Sequence, residues 1–200
     1  MNRQLVAKTW ISSGLRDIYY AFDKDDEAFL YNNLFSEIMG LEKIIKAVLL
    51  HNAHEQYENK DHEEAKVIIN DIAKRYGHDF KKMLKELSRI GISEIQNLKE
   101  QDFDGYFGKD LIRAVKQGYM ETRYPVPTPV SDSFPIKGTN LKHNPLWSSG
   151  ISKFIYSVCG ACLEYLSKSM SLEDVWSGFQ NNYRHKESLS RFNNLFWQLK

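Results

Sequence analysis

Apolar side chains at Leu5, Trp10, Ile11, Leu15, Ile18, Tyr19 and Phe22 recur at three- and four-residue steps, which predicts an amphipathic helix. The acidic run Asp23-Lys-Asp-Asp-Glu27 breaks this pattern and supplies the negative first turn that a following helix dipole favours. A second helix is expected from about Glu27 to Tyr57, with Phe29, Leu30, Leu34, Ile38, Leu41, Ile45, Val48 and Leu49 as its buried stripe. Glu63 to Arg75 predicts a third, shorter helix carrying Val67, Ile68 and Ile72, with Gly77 placed to end it. His78-Asp79 opens a fourth, in which Phe80, Met83, Leu84 and Leu87 point inward and Gly91 follows the end. A fifth is expected from Phe103 to Arg123, with Phe107, Leu111, Val115 and Tyr119 on one face. Two or three more follow over Trp147–Met170 and Leu172–Lys200. No stretch alternates as a half-buried strand does, and no internal repeat is visible, so the fold class is all-α.

The five prolines all lie between Pro125 and Pro145. Proline breaks helix interiors, so the chain divides into a helical bundle over 1–124, a connecting loop over 125–146 and a helical extension over 147–200. Pro-Val-Pro-Thr-Pro favours an extended backbone. A connection this long is a lid, a binding loop or a partner arm, or it straps the last helices across the bundle. The extension is rich in aromatics (Trp147, Trp176, Phe179, Tyr183, Phe192, Phe196, Trp197), which argues for packing on the bundle or across a dimer.

The chain is 42% hydrophobic and 26% charged with a net charge of +1, an ordinary globular composition with no overall field to draw it to nucleic acid or membrane. The apolar run Ala47-Val48-Leu49-Leu50 stops at His51, which is far short of a membrane span. The N-terminal Met-Asn-Arg-Gln-Leu-Val-Ala-Lys lacks the apolar core of a signal peptide. With Cys159 and Cys162 as the only cysteines, a cytoplasmic location is expected.

Three segments, in order, resemble the HEPN superfamily of small all-α bundles. Leu41-Glu42-Lys43-Ile44-Ile45-Lys46-Ala47-Val48-Leu49-Leu50 is similar to that family's second helix with its Glu-x-x-x-Lys-Ala core. Tyr76-Gly77-His78-Asp79-Phe80-Lys81-Lys82-Met83-Leu84 resembles its "GHDL…LL" helix start, and Glu121-Thr122-Arg123-Tyr124-Pro125 its "RYP" helix end. The resemblance covers about residues 1–125 and implies an up-down helical bundle with additional C-terminal helices. Many HEPN proteins are metal-independent ribonucleases with an Arg followed, after four to six intervening residues, by a His, often used across a dimer interface. None of His51, His54, His62, His78, His143 and His185 has an Arg at that upstream distance. What the resemblance then implies is the family's non-catalytic branch: a cytoplasmic homodimer binding a nucleotide, nucleic acid or partner protein, often in a defence or toxin–antitoxin setting.

Glu42 and Lys46 stand at i, i+4 at the edge of the second helix's apolar stripe. They form either an ordinary helix-edge ion pair or the floor of a polar cleft completed by His78, Asp79, Arg123 and Tyr124. In such a cleft Arg123 clamps a phosphate bidentately and Tyr124 stacks on a base. Asp79 also suits an N-cap. Lys74, Arg75, Lys81, Lys82, Lys85 and Arg89 outnumber Asp79 and Glu86 over residues 74–89. This run is a solvated helix face or, where nucleic acid is the partner, the surface that meets its phosphates. The rival in the enzyme class is a divergent ribonuclease in which His78 and Arg123 meet in space, and a third reading is a purely structural interaction subunit.

Cys159-Gly160-Ala161-Cys162 falls inside a helix among apolar residues, which reads as core thiols in tight helix packing rather than a redox motif or half a zinc site. His51 and His54, near Glu55 and His62, match no H-E-x-x-H pattern and read as surface histidines at a fraying helix end. Gly108-Lys109 lacks the glycine spacing and Ser/Thr of a P-loop. No metal, no cofactor and no catalytic residue is assigned from the sequence.

Overall fold

The computed structural model describes residues 1–23, 30–123, 145, 148–182 and 186–196. Among them are nine α-helices: α1 (Arg3–Asp23), α2 (Leu30–Asn52), α3 (His62–Tyr76), α4 (Phe80–Ile90), α5 (Glu94–Glu100), α6 (Gly108–Arg123), α7 (Ser149–Ser167), α8 (Glu173–Asn182) and α9 (Lys186–Leu195). A 3-10 turn (His54–Gln56) follows α2, and the strands β1 (Asp102–Phe103) and β2 (Tyr106–Phe107) form a minute antiparallel ribbon. The architecture is an all-α helical bundle.

α2 is its axis. Leu41, Ile44, Ile45, Ala47, Val48, Leu49 and Leu50 are all buried, on every side of the helix, because α1, α4, α6 and α7 surround it. α1 lies antiparallel along α2, and two glycines set the separation. A Cβ on Gly40 would stand 2.4 Å from Ile18 Cγ1 and 2.6 Å from the Gly14 carbonyl oxygen. α7 brings Phe154, Ile155, Val158, Cys159, Cys162 and Leu163 into the same core. Both thiols are buried inside the helix and burial pushes their pKa upward, which leaves them protonated and inert. Phe179 and Phe192 stack at 5.3 Å, and Tyr19 of α1 meets both edge-on, so the C-terminal aromatics pack against the first helix. α3 rests on a satellite cluster of Val6, Leu50, Tyr57, Ala65, Ile69 and Ile72.

The punctuation follows the residues. Asp61 and Asp79 cap α3 and α4 by accepting the backbone N–H of Glu64 and Lys82. Gly77 (φ 52°) and Gly91 (φ 106°) end the same helices in backbone that favours glycine. The expected fifth helix starts later than its apolar pattern suggests. Asp104 and Gly105, both at positive φ, make a two-residue hairpin turn that pairs Phe103 with Tyr106. Phe107, expected to point inward, is consequently exposed on β2. α5 is an addition too short for its periodicity to register, held by Ile95 and Leu98.

Candidate functional site

Lys46 and Glu42 face each other across one turn of α2, Nζ to Oε1 2.7 Å, with side chains only 8% and 6% exposed. The sequence places this pair at the edge of a stripe. Because α2 is enclosed by its neighbours, the pair is buried instead. A buried charge needs full compensation, and the second carboxylate oxygen receives it from outside the helix. His78 Nδ1 lies 2.7 Å from Glu42 Oε2.

His78 reaches that position from the sharp turn between α3 and α4. Gly77 reverses the chain, and Asp79 is committed to capping α4. The imidazole leans on Tyr119 of α6, with ring centroids 4.1 Å apart and Nε2 2.8 Å from the phenol oxygen. A carboxylate only accepts hydrogen bonds, so Nδ1 carries the proton; in the neutral ring Nε2 is then the acceptor for the Tyr119 hydroxyl. The result is a chain, Lys46–Glu42–His78–Tyr119, running from the centre of the bundle to a histidine 46% exposed. Its charges cancel, and both carboxylate oxygens and both ring nitrogens are engaged.

The structure thus brings Glu42, Lys46 and His78 together. Asp79 is adjacent but turned to the Lys82 N–H. The backbone of Arg123 lies one helical turn beyond Tyr119 at the end of α6; its side chain, and all of Tyr124 and the proline-bearing loop, lie outside the described residues. Tyr119 is the member that the sequence reading assigned to packing alone. Its ring is indeed buried in the core, and the signal for its second role was the hydroxyl that a buried tyrosine must satisfy.

Around His78 lies the basic face. Lys74 and Arg75 end α3, Lys81, Lys82, Lys85 and Arg89 belong to α4, and all six are exposed. Two are occupied locally: Lys82 Nζ donates to the Arg75 carbonyl (2.9 Å), and Arg89 holds both oxygens of Glu86, keeping that carboxyl's pKa below its usual value. Lys74, Arg75, Lys81 and Lys85 have no acidic partner among the described residues.

The other sequence candidates resolve structurally. His51 is a buried residue, not a surface one, and the turn after α7 lies against it: Ser169 Oγ is 3.1 Å from Nε2. Ser169 also donates to the Leu166 carbonyl, so Nε2–H donates to Ser169 and Nδ1 is left with no partner among the described residues. Burial, helped by the nearby Arg3 and His54 charges, lowers the pKa of His51. His54 Nδ1 donates to the His51 carbonyl (3.1 Å), and Arg3 Nη1 lies 3.2 Å from its Nε2. Among the described residues no group of three His, Cys, Asp or Glu side chains could hold a metal ion. Gly108 serves close packing, since a Cβ there would stand 1.9 Å from the Leu98 carbonyl oxygen. Among the described residues no helix is long and apolar enough to cross a membrane. No protein-family model, no curated protein and no solved structure matches the chain.

Proposed function

We propose that this protein is a non-catalytic, HEPN-like binding module for nucleic acid, whose α3–α4 corner meets the phosphate backbone. The observation that carries the reading is the set Lys74, Arg75, Lys81 and Lys85, exposed and without acidic partners around a histidine that the Glu42 carboxylate holds in place. The polar chain behind it fixes the ring, with Nδ1 on Glu42 and Nε2 on the Tyr119 hydroxyl, and no Arg stands at the ribonuclease spacing ahead of any histidine. In this reading the protein is cytoplasmic and homodimeric and acts in a defence or toxin–antitoxin setting, with Arg123 and Tyr124 extending the phosphate- and base-facing surface.

The test is fluorescence anisotropy of a labelled single-stranded RNA over a salt series. Lys81→Gln with Lys85→Gln weakens binding and flattens the logarithmic salt dependence by about 1.4, since each single-strand phosphate contact contributes about 0.7. An unchanged affinity and slope refute the reading. The rival ribonuclease draws on one observation: the Tyr119–His78 contact brings the α6 end that carries Arg123 to the histidine. RNA cleavage in EDTA that disappears in Arg123→Ala would favour it.

A further inference from the structure

A second concave surface lies away from the polar chain. A trough of about 700 Å³ runs between α5, the β1–β2 ribbon, α7 and the end of α9. It exists because α7 presents small side chains there: Ser157 and Ala161, one turn apart, leave space that Leu98 and Phe103 border without filling. Its rim is acidic. Glu94, Asp102 and Glu164 line it and form no ion pair among the described residues; Lys168 borders Glu94 and Glu164 at one edge, and Lys153 on the rim is tied to Asp104 at 2.6 Å. In a chain of net charge +1 this is a local excess of negative charge around an apolar floor.

We infer that the trough docks a basic amphipathic helix of a partner protein. The helix lays its apolar face along Leu195, 37% exposed at the trough's side, and over a floor to which Leu98, Phe103 and Ala161 contribute only their edges, and sets Lys or Arg side chains against Glu94, Asp102 and Glu164. Charge complementarity selects this occupant. Nucleic acid is repelled by the same carboxylates, and the carboxylates do not converge as metal ligands would. An open trough with an apolar floor and charged edges is the form that takes a helix through its i, i+3, i+4, i+7 anchors, with the charges setting orientation and on-rate. This inference is independent of the nucleic-acid reading and uses a different surface.

The experiment titrates the full chain into a fluorescein-labelled helical peptide bearing Leu at i, i+3, i+4 and i+7 and Lys on its flanks. The triple variant Glu94→Gln, Asp102→Asn, Glu164→Gln is expected to lose affinity about tenfold or more, since exposed ion pairs are individually weak and three are removed together. Ser157→Arg, which fills the trough and sets a cation in it, abolishes binding. Neutralising Glu55, Glu63 and Asp71 elsewhere on the surface leaves affinity intact, and a Glu-for-Lys peptide does not bind. Amide exchange then slows in α5 and over residues 153–164 of α7. Equal affinity for the triple variant, or protection confined to α3 and α4, overturns the inference. So does self-association of the wild-type chain that the triple variant abolishes, because the occupant is then a second copy.

Discussion

Replacing Lys46 with methionine keeps most of its hydrocarbon stem and removes its charge, leaving Glu42 as a buried carboxylate without its cation. Breaking a buried pair from one side costs roughly 3–5 kcal/mol, and the side chains here are 8% and 6% exposed, so little solvent screening reduces it. The double variant Glu42→Gln, Lys46→Met removes both charges and retains an amide for His78. It should cost only about 1–2 kcal/mol, the scale of imperfectly replaced buried hydrogen bonds. The comparison of the two variants separates this account from simple loss of packing, because both remove the same lysine and only one leaves the carboxylate unpaired. Urea unfolding of each reads the numbers directly. If Lys46→Met costs under about 1 kcal/mol, or no more than the double variant, Glu42 is not carrying a compensated buried charge and the polar chain is misread.

Two further outcomes follow from the packing. Gly40→Ala gains about 1 kcal/mol of helix propensity, but its Cβ meets Ile18 and the Gly14 carbonyl inside van der Waals distance. It should destabilise the fold by a net ~1–3 kcal/mol and lower the urea midpoint accordingly, whereas Gly178→Ala on α8, with nothing near its Cβ, should raise it. For His51, burial depresses the folded-state pKa below the ordinary 6.5, so the neutral ring's contribution is complete above pH 6.5 and is lost as pH falls below it. Arg3 and His54 steepen the loss and Glu58 softens it. Acid titrations of stability should show a shallower slope in His51→Gln.

The helices and their stops were legible because each carries a local signal: a 3.6-residue apolar period, an aspartate cap at Asp79, a glycine at Gly77 or Gly91. Glu42, Lys46 and His78 could be named from sequence for the same reason, since i, i+4 spacing and a turn histidine are local patterns. What could not be read is set by tertiary surroundings. Glu42 looked like an edge residue because one apolar stripe was visible, and only the enclosure of α2 by four neighbours makes its other faces interior. His51 meets the turn after α7, more than a hundred residues later in the chain. Tyr119 fits a core stripe whether or not its hydroxyl has work to do. The ribbon before α6 was hidden because Phe103 and Phe107 also fit a helical stripe, and a two-residue turn outweighed that period.

The position of α7 bears on how the protein is made. α2 is complete as a hub only when α7 covers the face bearing Glu37, whose carboxylate accepts from Ser152 and Tyr156. Those two residues leave the ribosome well after residue 123 ends α6. At about 5–20 residues per second the interval from residue 123 to the end of α7 lasts roughly 2–9 s. Until then the face of α2 that bears Glu37 lacks its cover, and any other apolar surface that took the place of α7 would bury this carboxylate without the two hydroxyls that satisfy it.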